Sequence, residues 1–379
     1  MRIVVAPDSF KECLTAIQVS NAISEGIRRI VPEAEIISIP MADGGEGTVE
    51  ALVKAAGGKI FTLSSVDALN RPIQSFYGIL GDVKTAVIEM AAASGIEILA
   101  PNERNPLDTS TFGTGLLIKA AMDAGFTEII LGIGGSATND GGAGMAQALG
   151  FRLQDKNGNP IGNGGGSLGK LFSIDRSKVH SQMANTKITI ACDVHNTLLG
   201  ISGATRIYGP QKGATPKMIE TLENNLTHFS RILQQEFRKD FADIPGSGAA
   251  GGLGAGLMAF CNATIVSGFE LISKITNLED QISKASLVFT GEGKIDSQSA
   301  SGKTISGIAR LGQKYQVPVI ALAGMVQGNQ EELYDQGITY IFSIGDEKIS
   351  IEESKARAAE LLADTSERII RMMTELSGK

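Results

Sequence analysis

Regular alternation of strand-like and helix-like segments at both ends of the chain, with a β-richer texture between them, predicts two α/β domains. Three observations carry that expectation. The length, 379 residues, exceeds what a single hydrophobic core usually supports. Both ends show short apolar runs, each followed by an amphipathic stretch, which is the pattern of a parallel sheet. Glycine is in excess, at 46 of 379 residues, or about 12% against an average near 7%. It follows no Gly-X-Y period, so the excess belongs to turns and loops.

Residues 2–6 read as a short buried strand. Thr15 and Gln18 form the capping box of the next helix. Its apolar stripe is Ile17, Ala22, Ile23, Ile27 and Ile30, with Pro32 beyond its end. Residues 36–39 form the second strand and residues 48–56 a helix. The close-set runs 61–63, 73–80 and 85–89 suit a mixed or antiparallel sheet. Further on, 128–131 and 188–193 read as strands, 162–169 as loop and 216–239 as a long polar helix. Alternation returns with strands at 287–290, 318–322 and 339–343, and one amphipathic helix over 350–376 closes the chain. The expected domains are 1–75 plus 285–379, and an insert over 76–284.

Composition narrows the function classes. A hydrophobic fraction of 42% and a charged fraction of 20% describe an ordered globular protein. Net charge is −7 and the pI about 5.2, so the surface as a whole does not attract nucleic acid. An acidic protein that binds an anion must do so through local devices: amide nests, single Lys or Arg residues, or a divalent cation. Cys13, Cys192 and Cys261 are far apart with no Cys-x-x-Cys. That pattern argues against a disulfide framework or a cysteine zinc site and fits a reducing cytoplasm. Met1-Arg-Ile-Val-Val-Ala6 runs straight into a strand, with no leader expected, and no segment approaches membrane-spanning length.

The richest stretch is 132–144, Gly-Ile-Gly-Gly-Ser-Ala-Thr-Asn-Asp-Gly-Gly-Ala-Gly, directly after the strand at 128–131. A strand feeding a glycine-rich turn lets backbone N–H groups approach an anion, phosphate above all. Gly132, Gly134 and Ala137 also match a dinucleotide fingerprint, with Asp155 near the distance of a ribose-binding acid. Against that stand the interposed Asn139-Asp140 and the hairpin-turn character of Asp155-Lys-Asn-Gly158. Acidic, glycine-rich loops recur at Asp43-Gly-Gly-Glu46 and Gly291-Glu-Gly-Lys-Ile-Asp296. Three such loops suggest phosphoryl chemistry with a metal.

Other candidates stand at strand ends. Asp8, in Pro7-Asp-Ser-Phe-Lys11, lies where open α/β sheets place ligands. It is suited to Mg²⁺ or a proton, and Lys11 to a phosphate or carboxylate; an Asx-turn beside a surface lysine explains the pair equally. Asp43 and Glu46 either form a site or stabilise the positive end of a helix dipole. The run Ser297-Gln-Ser-Ala-Ser-Gly-Lys-Thr304 ends like a phosphate-binding loop but has Ser where the first Gly belongs. Lys303 is therefore a candidate phosphate contact without P-loop architecture. Asp193 is a base, a metal ligand or a turn acid; Lys212 is a phosphate clamp or a surface residue. His180, His195 and His228 show no ligand spacing.

Several runs together resemble the bacterial glycerate kinase type 1 family: Ala6-Pro-Asp-Ser-Phe-Lys11, Met41-Ala-Asp-Gly-Gly-Glu-Gly-Thr48, Ile88-Glu-Met-Ala-Ala-Ala-Ser-Gly95, Arg104-Asn-Pro106 and 132–144. So do Cys192-Asp193, Gly209-Pro-Gln-Lys-Gly-Ala214, Thr290-Gly-Glu-Gly293 and Asp296-Ser-Gln298. The resemblance runs from residue 1 to about 343. It departs at Cys13, usually Ser, and at Thr197, where Pro often follows the Asn.

The resemblance implies ATP-dependent phosphorylation of D-glycerate, with 2-phospho-D-glycerate and ADP as products. It also implies a flavodoxin-like parallel-sheet domain from both chain ends, an inserted mixed-sheet α/β domain, and an active site in the cleft. On this basis the triphosphate is expected at Gly134, Gly135, Ser136, Asn139, Gly291, Gly293 and Lys303. Mg²⁺ is expected at Asp43, Glu46 and Glu292, with Asp8 a further candidate. Asp8, Ser9, Arg104, Lys212 and Lys11 are expected to hold glycerate and the moving phosphoryl group, and Asp193, in preference to Asp296, to take the proton. Neither nucleic acid nor membrane is an expected partner. The rivals are an NAD-dependent oxidoreductase using the Gly132 fingerprint and a catalytically silent glycerate- or nucleotide-binding protein. The presence of all the acids weighs against the silent protein.

Overall fold

The computed structural model describes residues 1–10, 13–42, 44–296, 299, 303–345 and 350–377. In chain order the strands are β1 (Arg2–Val5), β2 (Glu35–Ser38), β3 (Lys59–Val66), β4 (Pro72–Ile79), β5 (Thr85–Glu89) and β6 (Glu128–Gly132). They continue as β7 (Arg152–Gln154), β8 (Ser173–Asp175), β9 (Lys187–Ala191), β10 (Thr264–Val266), β11 (Leu287–Ile295), β12 (Val319–Val326) and β13 (Tyr340–Ser343). The chain divides into two compact units, Met1–Asp43 with Phe269–Lys379, and Gly44–Gly268.

The first unit holds a five-stranded sheet in the order β2-β1-β11-β12-β13, parallel throughout. Counted within the unit this is 2-1-3-4-5, the flavodoxin-like order. Ile3, Val4 and Val5 are all fully buried, because a parallel sheet is covered on both faces. Thr15 caps the helix Ala16–Ile30 with the expected reciprocal pair: its Oγ1 accepts from the Gln18 N–H (3.2 Å), and its own N–H donates to Gln18 Oε1 (2.8 Å). Val19, Ile23 and Ile27 of that helix join Phe289, Leu322, Leu362 and Ile370 in one core.

The second unit holds a mixed six-stranded sheet, β10-β9-β6-β5-β4-β3, and a small antiparallel pair, β7-β8. β3, β4 and β5 pair antiparallel; β5, β6, β9 and β10 run parallel. The helix Thr48–Ala56 packs on β3, β4 and β5, so residues 44–75 belong with the insert. The boundary therefore falls earlier than the expected position after residue 75. On the far side Phe269 packs its ring against Gly307 of the first unit, which moves the second boundary from 284 back to 268.

Three local expectations are corrected. β11 does not stop at residue 290 but continues to Ile295, because its pairing with β12 extends to Ile295↔Val326. The C-terminal helix is two, Ile351–Ala356 and Ala358–Ser377, broken at Arg357, whose guanidinium bridges Glu353 and Glu360 across the break. The stretch 162–169 is not all loop: a short 3₁₀ turn, Gly165–Lys170, begins within it. Among the described residues no helix is long and apolar enough to cross a membrane.

Candidate active site

In the first unit the order of strands reverses between β1 and β11. Loops leaving the carboxyl ends of the strands diverge at such a switch point and leave room for a ligand. Asp8 sits there: its N–H donates to the Gly291 carbonyl (2.8 Å) and its Oδ1 accepts from the Ser9 N–H (2.6 Å). Thr304 Oγ1, in the first turn of the helix Lys303–Tyr315, lies 3.5 Å from Asp8 Oδ2. Further along, Glu292 accepts a hydrogen bond from Ser299 Oγ, which itself accepts from the Asp296 N–H (3.1 Å). Asp296 is paired with Lys294 Nζ at 2.9 Å. The structure thus gathers Asp8, Ser9, Glu292 and Asp296. Gly291 and Gly293 were expected in a phosphate-cradling loop; they lie instead within β11, where Gly291 is paired with Leu322 of β12. Lys11 and Asp43 lie outside the described residues, as does the side chain of Lys303.

In the second unit the carboxyl ends of three parallel strands align: Glu89 of β5 is opposite Gly132 of β6, and Gly132 is opposite Ala191 of β9. Residues 132–142 emerge from this edge and are fastened by their own backbone. The Gly134 N–H donates to the Gly44 carbonyl (2.9 Å), that of Ala137 to Ser94 (3.0 Å) and that of Gly141 to Gly251 (3.0 Å). A Cβ on Gly134 would stand 2.6 Å from Gly45 Cα, so close backbone approach by itself requires glycine there. Asp140, fully buried, organises the rest. It accepts from the Thr111 N–H (2.8 Å) and Oγ1 (2.9 Å) and from the N–H groups of Gly142 and Gly144 (both 3.1 Å). Burial raises its pKa, and those four hydrogen bonds oppose the rise.

Lys212 is 2% exposed. Its Nζ donates to Ser136 Oγ (2.6 Å) and to the Thr138 carbonyl (2.7 Å). Desolvation brings its pKa down to about 7, with the Asp140 carboxylate pulling the other way. The surface-residue reading is thereby excluded. Gly213, at φ +90°, presses on the Arg104 carbonyl, where a Cβ would come within 2.1 Å; this contact packs the Arg104 backbone against the residue that follows Lys212. Arg104 Nε, Thr138 Oγ1 and Asn139 Oδ1 are buried without a hydrogen-bond partner among the described residues. Asn139 Nδ2, by contrast, donates to Thr205 Oγ1 (3.0 Å). Buried polar atoms are ordinarily hydrogen-bonded to protein or to water.

Asp193 follows β9 at the same edge and accepts from Ser267 Oγ (2.8 Å). Glu46 is exposed and lines a cavity with Glu89 and Gly135. Glu89, 2% exposed, was not among the expected site residues. Burial lifts its carboxyl to about 7; hydrogen bonds from the Val49 and Gly47 N–H groups oppose this, and Glu46 and Glu50 add to it. The available signal was one acid inside the apolar run Val87-Ile-Glu-Met90. Among the described residues no three His, Cys, Asp or Glu side chains converge on a metal position. A Mg²⁺ that arrives with phosphates needs only one or two protein carboxylates, which Asp8 and Glu292 offer.

The dinucleotide rival loses its structural context. The helix after the Gly132 loop starts only at Ala143, and Asp155 accepts from the Asn157 and Asn159 N–H groups in a tight turn closed by Gln154↔Pro160.

Comparison with known proteins agrees with this arrangement. A model of the glycerate kinase family matches residues 3–374. The chain is 49% identical over 367 residues to a glycerate kinase of Halalkalibacterium halodurans, covering 97% of each chain. It is 50% identical over 344 residues to the glycerate 2-kinase of Escherichia coli K12, covering 91% of this chain and 90% of that one. The crystal structure of a protein assigned as glycerate kinase 2 from Salmonella typhimurium LT2 superposes with a TM-score of 0.88 at 44% identity, each chain covered in full.

Proposed function

The chain belongs to the glycerate kinase family, and from that premise we propose that it transfers the γ-phosphoryl group of ATP to the C2 hydroxyl of D-glycerate. The new bond joins the C2 oxygen to Pγ, the Pγ–O bond to ADP breaks, and the hydroxyl proton leaves to a carboxylate. The observation that carries this reading is the buried Lys212, clamped to the Gly132 loop through Ser136 and Thr138. An acidic protein has placed a cation where desolvation makes an anion its best partner.

Phosphoryl transfer depends on positioning and charge neutralisation more than on covalent chemistry by the protein. Lys212, with its pKa near 7, regains full charge when an anionic phosphoryl oxygen arrives. Arg104 suits a carboxylate through its planar donors. Ser136 and Asn139 supply polar groups on the phosphate side, and Asp8 and Ser9 polar groups for the acid. Asp8, Glu292, Asp43 and Glu46 are the proposed Mg²⁺ ligands; bound with ATP, the ion neutralises phosphate charge. Asp193 is the proposed proton acceptor: Ser267 Oγ orients it, whereas Asp296 already faces the Lys294 ammonium. Cytoplasmic ATP is the donor, consistent with three free cysteines.

ADP release measured with D-glycerate, with L-glycerate and with no acid tests the proposal. Release that requires D-glycerate is expected; equal release in all three would reduce the activity to ATP hydrolysis and refute it.

A further inference from the structure

β4 pairs with β3 along its whole length, from Lys59↔Ile79 to Val66↔Pro72, but with β5 only at Gly78↔Val87 and Ile79↔Ala86. The first half of β4 therefore splays away from the carboxyl end of β5, and the sheet opens at the point where its strands change from antiparallel to parallel. A cavity of about 310 Å³ fills the opening, within the size range of small-molecule sites. Its walls are Ile73, Phe76, Ala91, Ala92 and Ile98; Glu46, Glu89 and Glu97 stand around it, and Gly135 forms one edge.

We infer that this cavity takes the purine nucleoside part of ATP, an inference that rests on the kinase reading above. The lining contains three carboxyl groups and no Lys or Arg. Away from a metal ion at Glu46, the cavity walls disfavour both anions, triphosphate and glycerate. The nucleoside is the neutral part of the two substrates. Phe76, Ile73 and Ile98 present apolar surface to a planar base, and carboxylates accept hydrogen bonds from ribose hydroxyls and from an exocyclic amine. Gly135 connects this cavity to Ser136, which accepts from Lys212 Nζ. A nucleoside lodged here has its phosphates on the side of the buried Lys212, which is bonded to the loop. A three-carbon acid is too small to fill the space.

The sequence contains no tryptophan, so Phe76→Trp introduces a lone indole into the cavity wall. ADP is expected to shift or quench its emission saturably, while D-glycerate alone leaves it unchanged. A response to D-glycerate without one to ADP, or none to either, overturns the assignment. Independently, Ala92→Leu narrows the cavity and is expected to raise KM for ATP at least tenfold with KM for D-glycerate within twofold; unchanged or equally raised values overturn it. Wild-type activity, measured in parallel, separates the two readings. An inactive wild type refutes the kinase reading and the cavity assignment together, whereas an active wild type with a silent indole refutes only the assignment.

Discussion

Replacing Lys212 with methionine should make the protein more stable and nearly inactive. The native Nζ is buried with a pKa near 7, against an ordinary value of 10.5. Between those values the unfolded chain holds more protons than the native one, so stability rises with pH across that window and the burial cost is greatest at its lower end. At 1.36 kcal/mol per pKa unit, the cost at pH 7 is about 4 kcal/mol. Methionine of similar length removes it but also removes the bonds to Ser136 and Thr138, together worth about 2 kcal/mol net. The expected gain is about 2 kcal/mol, or about 4–8 °C in the melting temperature for a unit of this size. At pH 9 the wild-type cost falls to about 2 kcal/mol and the gain vanishes. Thermal melts of both proteins at pH 7 and pH 9 read this directly, and turnover should fall by about a hundredfold or more. An equal difference in melting temperature at both pH values, or a variant less stable at pH 7, would refute the electrostatic account of Lys212.

Glu89→Gln works in the opposite window. The native carboxyl holds its proton up to about 7 and the unfolded one only to 4.5, so wild-type stability is lost as pH rises through that range, by up to about 3 kcal/mol. Melting of the variant should match wild type near pH 5 and exceed it above pH 7.5. Asp193→Asn should lower turnover about a hundredfold while KM for ATP changes by no more than a few-fold; steady-state kinetics in both substrates checks the split. Gly134→Ala drives a Cβ onto Gly45 Cα and should cost about 2 kcal/mol, seen as a drop of several degrees in melting temperature.

Local chemistry carried most of the fold. The Thr15–Gln18 capping box, the helix Thr48–Ala56 and the β-rich run before Glu89 all follow from residues within a few positions of one another. Partnership across the sheet is not written locally. The apolar run at 287–290 does not show that β12 continues to pair as far as Val326, so the Gly291 segment reads as a loop although it is strand. The same limit hides Asp140, whose role depends on Thr111, 29 residues away, and Glu89, whose burial comes from a helix start 40 residues away. Lys212 was legible as a candidate but not as a buried cation, because Ser136 and Thr138 reach it from across the fold. The Gly132 loop was legible as a candidate by composition alone; that many of its amides fasten the loop itself is a tertiary fact.

The most direct test is proton-coupled phosphorus NMR of the protein with Mg-ATP and D-glycerate, beside a sample without glycerate. A glycerate-dependent phosphomonoester, split into a doublet by the single C2 proton, is expected. A triplet would place the phosphate on C3, and no new signal with ATP intact would contradict the kinase reading itself.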